Sequence, residues 1–287
     1  QRQMCIRDSF TIALKADGTV WTWGYNVAGQ LGNNSTADSL IPVQVLGGAT
    51  GNQYLTNVVQ VAAGGTFDGG NRYYALALRE NGTVWAWGYN RNGELGQGNT
   101  TSVYSPVQVK SADGNSYLTD IIEIAAGSNH NLALAKDGTV WSWGYNYHGQ
   151  LGNGTKANSS LPVKVKIGDG SVDLTGVVSI AAGYYSSFAV RKDGTVWAWG
   201  YNNAGQLGLG DGANRTTAQQ VLGGASGSQY LTDIVEVKAA TWHTLALKAN
   251  GTVYAWGNNS HSQLGSTGSS SSRPVQVVTC LLYTSDA

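Results

Sequence analysis

The stretch DGTVWSWGYNYHGQLG occupies Asp137–Gly152. It sets two tryptophans two residues apart, follows them with Gly and an Asn-containing loop, and ends on another Gly. Variants of it recur as DGTVWTWGYNVAGQLG from Asp17, NGTVWAWGYNRNGELG from Asn81, DGTVWAWGYNNAGQLG from Asp193 and NGTVYAWGNNSHSQLG from Asn250. The turn glycines Gly18, Gly82, Gly138, Gly194 and Gly251 are spaced by 64, 56, 56 and 57 residues. Self-similarity of this kind marks a solenoid, a propeller or an array, and the content of one repeat decides among them.

Each repeat carries short extended segments. The first is VVQVAAG, IIEIAAG, VVSIAAG or IVEVKAA, starting at Val58, Ile121, Val177 and Ile234. The second is YALAL, NLALA, SFAVR or TLALK; the third is TVWxWG; the fourth is PVQV, PVKV or AQQV. Apolar residues alternate with period two and β-branched and aromatic types dominate, which predicts strands. Asp-Gly or Asn-Gly joins the second segment to the third five times, and predicts a tight hairpin of type I′. Pro42, Pro106, Pro162 and Pro274 open the fourth segment, so that strand is expected at the outer edge, where a missing N–H does no harm. Four strands per repeat, arranged radially, is the propeller plan. The chain is therefore expected to be all-β, a β-propeller of four complete blades (58–109, 121–165, 177–221, 234–277) and one partial blade (10–45).

Trp21, Trp23, Trp85, Trp87, Trp141, Trp143, Trp197, Trp199 and Trp256 all belong to the repeated motif. Paired tryptophans two apart on a strand point to one face. They are expected to form the blade core, opposed by small Ala and Gly of the neighbouring blade, rather than a ligand platform.

The pattern AAGxxHxLAL…DGxVWxWGxNxxGQLG…PVxV closely resembles the repeat of the regulator of chromosome condensation (RCC1-type) family, over essentially all of Phe10–Val277. The resemblance implies a β-propeller, typically of seven blades, and leaves activity open because one fold hosts many functions. It also implies guanine-nucleotide exchange on a small GTPase as an alternative function, with the insertion around Thr66–Arg72 as the one candidate wedge. A propeller-type protein inhibitor is a further alternative, against which the long repeat counts. A light sensor like the plant UV-B receptor, also Trp-rich, is disfavoured by a neutral surface.

The ends QRQMCIRDS (Gln1–Ser9) and CLLYTSDA (Cys280–Ala287) fit no repeat and resemble translated transposon-type sequencing adapter. Residues 1–9 and 280–287 are accordingly read as processing scars around a natural fragment of a bacterial protein, and the fragment's true N-terminus as absent. The two cysteines, Cys5 and Cys280, fall in those ends. That leaves no disulfide framework, thiolate metal site or cysteine nucleophile between them.

Charged residues make up 12% of the chain and the net charge is zero, so no basic stripe attracts nucleic acid. No apolar run reaches membrane-spanning length. Loops such as NNSTADSL (Asn33–Leu40) and STGSSSSR (Ser266–Arg273) are polar and uncharged, which suits an extracellular or cell-surface setting. His130 and His243 share one repeat position, held elsewhere by Phe10, Tyr74 and Ser186; His148 and His261 share another. Neither pair has zinc-site spacing. GDGSVD (Gly168–Asp173) lacks the carboxylate spacing of a calcium loop and is read as a turn. No catalytic motif is present, so no catalytic residue, metal or cofactor is assigned.

Non-repeating residues collect in the loops between first and second strands and after WGYN, which alternation places at one end of the propeller. They are Phe67, Arg72, Arg91, Tyr147, His148, Tyr184, Tyr185, Trp242 and His261. Aromatics and Arg on a rigid loop face are common interface anchors. The expected function is a non-catalytic binding scaffold presenting this face to a protein or glycan partner. Neighbouring blades of the same chain are expected against its ends.

Overall fold

The structure, a computed structural model, describes residues 3–7, 10–48, 53–65, 72–224 and 229–278. Among these the regular elements are all strands. The first sheet is β1 (Gln3–Arg7), β2 (Phe10–Leu14), β3 (Val20–Gly24) and β4 (Ser39–Gln44). The second is β5 (Val58–Gly64), β6 (Tyr74–Arg79), β7 (Val84–Gly88) and β8 (Val103–Gln108). The third is β9 (Ile121–Ala126), β10 (His130–Ala135), β11 (Val140–Gly144) and β12 (Ser159–Lys164). A short hairpin, β13 (Lys166–Ile167) and β14 (Val172–Asp173), precedes the fourth sheet: β15 (Val177–Ala182), β16 (Ser186–Arg191), β17 (Val196–Gly200) and β18 (Arg215–Gln220). The fifth is β19 (Ile234–Ala239), β20 (His243–Lys248), β21 (Val253–Gly257) and β22 (Ser271–Gln276). Each sheet is an antiparallel meander in chain order, as the propeller reading expects.

The first sheet has four strands where three were expected. Gln3–Arg7, read as lying outside the repeats, pairs in unbroken register with Leu14–Phe10. An unpaired strand edge is a template for any extended segment beside it, and β2 offers such an edge. Its partner differs from the first strands β5, β9, β15 and β19, which all pair with a register shift near their start.

The hairpins differ in type from the expectation. Lys15 N donates to Thr19 O at 2.9 Å and Gly18 N donates to Lys15 O at 3.1 Å. Gly18 has φ of 77° while Asp17 is not in the left-handed region. A three-residue loop with only its Gly at positive φ is a type I turn with a G1 bulge, not type I′. The Asp17 carboxylate explains its own place: it accepts from Thr19 N at 3.0 Å and Thr19 Oγ1 at 2.6 Å. Asp193 and Thr195 repeat this in the fourth sheet.

Sheets stack in series. First strands touch successively, β1 with β5, β5 with β9, β9 with β15 and β15 with β19, so they line the inside of the arc and the fourth strands lie outermost. No comparable contact joins the fifth sheet to the first; the described blades form an open arc. Edge protection follows the prolines. The fourth sheet has Ala218 where the others have Pro42, Pro106, Pro162 and Pro274, and β13 adds to that edge in parallel, with Ile167 opposite Ala218. Proline lacks the N–H that such an addition uses.

Four tryptophans form the junctions. Trp87, Trp143, Trp199 and Trp256 are fully buried. Each indole N–H donates to a main-chain carbonyl of the preceding blade: Gln30 O at 2.9 Å, Glu94 O at 2.9 Å, Gln150 O at 2.9 Å and Gln206 O at 2.7 Å. Trp21, Trp85, Trp141 and Trp197, expected in the core, are only partly buried and lie under Lys15, Arg79, Lys164 and Arg191. Trp23 is also only partly buried, and no described blade packs against it from the N-terminal side. The opposing surface differs too. Ala133 pairs with Trp141 on the same sheet face, and the face across the junction is Leu76, Leu78 and Val84. The small residue that does oppose each buried indole is the last Gly of GQLG or GELG. A Cβ on Gly96 would come within 3.3 Å of the Trp143 indole nitrogen.

Candidate binding face

The loop after each third strand is built around one buried asparagine. Asn146 is fully buried. Its amide donates to Thr155 O at 3.1 Å and Ala157 O at 2.9 Å, and its carbonyl oxygen accepts from Leu151 N at 2.9 Å. Asn26, Asn90 and Asn202 make the corresponding bonds in their blades. The following Gln closes the turn: Gln150 Oε1 accepts from His148 N at 3.0 Å. These bonds satisfy loop backbone groups that water cannot reach, and they fix where Tyr147 and His148 project.

The loop between first and second strands is tied to the same end. Tyr201 N donates to Tyr185 O at 2.9 Å, and Asn258 N donates to Trp242 O at 2.8 Å. The approach is tight enough that a Cβ on Gly200, whose φ is 96°, would collide with Tyr185 O. A glycine is required there.

The result is one contiguous aromatic cluster. His148 lies 4.6 Å from Tyr201, 5.1 Å from Tyr185, 5.1 Å from Tyr147 and 6.4 Å from Tyr145, between ring centroids. Tyr184 packs edge-on to Tyr185 at 4.5 Å, and Tyr201 to Trp242 at 5.6 Å. Tyr147 and Trp242 are exposed, at 66% and 43%; the rings between them are half-buried. Such spacing is the range in which aromatic pairs attract, so the patch is pre-ordered. Burial, then the charge of Lys156, holds the His148 imidazole below its ordinary pKa, so it is neutral at pH 7. Its Nδ1 lies 3.4 Å from Asn214 Nδ2, which assigns Nδ1 as acceptor and leaves the proton on Nε2.

Five of the nine expected face residues meet here: Tyr147, His148, Tyr184, Tyr185 and Trp242. Arg72 lies just before β6 on the second blade, and its charge acts on Tyr89 and Tyr145. Arg91 is exposed on the second blade and acts on Tyr89. His261 is exposed on the fifth blade, outside the cluster. Phe67 and most of the Thr66–Arg72 insertion lie outside the described residues. Tyr145 and Tyr201 are members the sequence reading passed over. They are the Tyr of the repeated WGYN, and repetition masks a residue whose neighbours are unique.

Beneath the face sit two buried ionisable groups. His130 is fully buried, and desolvation lowers its pKa to about 3. Ser187 Oγ gives its proton to Gln150 O at 2.9 Å, so at 2.9 Å it accepts from His130 Nε2; this fixes a neutral tautomer in a structural role. Glu94 stands where the other blades carry Gln30, Gln150, Gln206 and Gln263. Burial raises its pKa, against donation from Asn92 and Asn129. A carboxyl with a raised folded-state pKa contributes stability that is lost as pH rises from its unfolded value through its folded one. Wild-type stability is therefore expected to fall across that window, and Glu94→Gln to flatten the fall. Urea midpoints measured from pH 4 to 8 check this; equal slopes in both proteins refute it.

Among the described residues no group of three or more His, Cys, Asp or Glu side chains is placed to hold a metal. The GDGSVD stretch is the β13–β14 turn. Asp169 accepts from Ser171 N at 3.0 Å, and Asp173 pairs with Lys164 and Lys166 at 2.9 and 3.0 Å.

The profile of the RCC1-like domain matches residues 2–282. The chain belongs to the RCC1-like domain family. It is 30% identical over 268 residues to the ultraviolet-B receptor UVR8 of Arabidopsis thaliana, covering 92% of this chain and 54% of that protein. It is 32% identical over 254 residues to the human E3 ubiquitin-protein ligase HERC2, covering 88% of this chain and 5% of that one. The chain thus spans about half the length of UVR8 and a small part of HERC2. Among solved structures, human WBSCR16 superposes with TM-score 0.75 at 22% identity, over 95% of this chain and 65% of that one. Prp20p of Saccharomyces cerevisiae, described with its binding properties to Gsp1p and histones, superposes with TM-score 0.73 at 24% identity, over 97% and 63%. These similarities show an RCC1-like propeller of four-stranded blades.

Proposed function

We propose that this RCC1-like chain is a non-catalytic binding scaffold whose aromatic loop face takes a protein partner. The observation that carries the reading is the His148-centred cluster. It gathers side chains from the third, fourth and fifth blades onto one end, where Tyr147, Tyr184, Tyr185 and Trp242 join the repeated tyrosines Tyr145 and Tyr201 without being part of the repeat. Exposed Tyr and Trp on rigid supports supply large contact area at little entropic cost, and such anchors dominate interface energies. The binding described for Prp20p fits a family that uses this fold for protein contact. An extracellular or cell-surface location is proposed with it, on the low charge and Asn, Ser and Thr loops, and surface proteolysis of intact source cells tests it.

The test is affinity capture with the wild-type chain, followed by titration of the captured partner. Trp242→Ala and Tyr185→Ala are each expected to weaken binding by about 2 kcal/mol or more, roughly thirtyfold. Val172→Ala, on the exposed β13–β14 hairpin, leaves it unchanged. Equal affinity for all three variants would place the interface elsewhere.

A further inference from the structure

At the end of the blades opposite the aromatic cluster, a cation from the end of the second strand covers a ring of the third. Lys15, Arg79, Arg191 and Lys248 lie over Trp21, Trp85, Trp197 and Tyr254, at 5.8, 6.0, 5.8 and 5.9 Å from the ring centroids. The two arginines also reach the linker that enters the first strand. Arg79 Nε donates to Thr56 O at 3.0 Å, and Arg191 Nε donates to Thr175 O at 2.9 Å. The two lysines pair with carboxylates instead, Lys15 with Asp17 at 3.3 Å and Lys248 with Asp233 at 3.5 Å.

The third blade has Ala135 where the others carry this cation. The groups that would receive it are all present. Trp141 is the ring. Thr119 O, the counterpart of Thr56 O and Thr175 O, accepts no hydrogen bond among the described residues. Asp120 and Asp137 stand where Asp233 and Asp17 hold their lysines. No other complete blade has carboxylates at both positions: the second has Asn57 and Asn81, the fourth Gly176 and Asp193, the fifth Asp233 and Asn250. An open cavity of about 600 Å³ results, with Tyr117, Thr119, Asp120, Ala135, Asp137 and Trp141 in its wall. The same corner of the second blade, walled by Asn57, Arg79, Glu80 and Asn81, holds about 240 Å³.

We propose that this cavity is a socket for an arginine side chain of a protein partner. The second and fourth blades show the fit on the same backbone, with the guanidinium carried by a polypeptide strand. A guanidinium stacks on an indole while its fork of donors serves a carbonyl and a carboxylate together, which an ammonium does less well. The exposed Tyr117 ring offers apolar wall to the methylene stem. The chain's own cations leave the socket free. Lys164 approaches Trp141 from the fourth strand at 5.7 Å, is tied to Asp173 at 2.9 Å and does not line the cavity. Lys136 stands at the rim and makes no ion pair among the described residues. The socket and the aromatic face lie at opposite ends of the blades, so either can fail without the other.

Titration of the full chain with a blocked Gly-Arg-Gly peptide, followed by proton–nitrogen NMR, tests the proposal. Saturable shifts are expected at the Trp141 indole and at the amides of Tyr117, Thr119, Asp120 and Lys136. A blocked Gly-Lys-Gly peptide is expected to bind several-fold more weakly, and Asp120→Asn to weaken the arginine peptide several-fold. Added salt weakens it further, as for any exposed charge pair. Ala135→Arg fills the socket from within and is expected to abolish the shifts, with a urea midpoint at or above that of wild type. Absence of saturable shifts at Trp141, or shifts confined to the aromatic face, overturns the proposal. So does a lysine peptide that binds equally well, or Ala135→Arg that still binds or that loses stability, since the corner then does not accept a guanidinium. Arginine amide that binds where the peptide does not would assign the cavity to a small molecule and overturn the protein partner.

Discussion

Trp143→Ala is expected to destabilise the chain by about 3–5 kcal/mol, whereas Trp141→Ala, two residues away, costs under about 1.5 kcal/mol. Both residues belong to the same WxW pair, and composition treats them alike. Their surroundings do not. Trp143 is fully buried between the second and third blades, against Leu76, Leu78 and Val84. Its removal opens a cavity, and the cavity adds to the lost transfer free energy. It also strips Glu94 O of the indole N–H at 2.9 Å, although Asn131 Nδ2 still donates to that carbonyl at 2.7 Å. Trp141 is partly exposed and covered by Lys164 at 5.7 Å, a contact of modest worth at a wet site. Urea denaturation of the two variants checks the contrast. In a stack of repeats the loss at one junction also uncouples the blades on either side, so Trp143→Ala is expected to broaden the transition as well as shift it. Equal midpoints for the two variants would refute the assignment of the second tryptophan as the junction residue.

The fold was legible because its signals are local and repeated. Strand period, the Asp-Gly or Asn-Gly joins and the proline on four of the five fourth strands each located an element from a handful of residues. What sequence did not convey was the third dimension of the same motif. Period two says that Trp141 and Trp143 share a face. It cannot say that the second is sealed into the junction with the previous blade while the first packs against that core only as a partly exposed side chain. The type I′ expectation failed for a related reason. Asp-Gly permits I′, but a carboxylate that can bond Thr two residues on stabilises the longer bulged loop instead. Ala218 carried a readable signal, the one blade without its edge proline, and that is the edge to which β13 adds.

The candidate face was half legible. Reading outliers against the repeat found Tyr147, His148, Tyr184, Tyr185 and Trp242, since a residue without a repeat counterpart has no structural reason to be there. The same filter discarded Tyr145 and Tyr201, whose side chains complete the ring around His148. It also kept His261, which stands apart. Distance between blades is a property of curvature, and curvature is set by junction packing that no single repeat records.

The second large effect is expected at Asn146. Asn146→Ala removes an acceptor for Leu151 N and the donor shared by Thr155 O and Ala157 O. Each buried group left without a partner costs about 1–3 kcal/mol, so a total of roughly 3–5 kcal/mol is expected, tempered by any water that enters the loop. The effect on the face is expected to be larger than the effect on the blade. The Asn146 side chain holds the loop from Tyr145 to Asn158, and Tyr147 and His148 project from it. The strands beneath are held by their own ladder and by Trp143. Hydrogen exchange is therefore expected to show lost protection across residues 146–158 with β10 and β11 still protected, and partner binding is expected to fall with the loop. Asn146→Asp separates the two roles, because a carboxylate keeps the acceptor for Leu151 N and loses the amide donor. If Asn146→Ala melts the whole third blade along with its loop, the asparagine is part of the junction, and the aromatic face rests on the core itself.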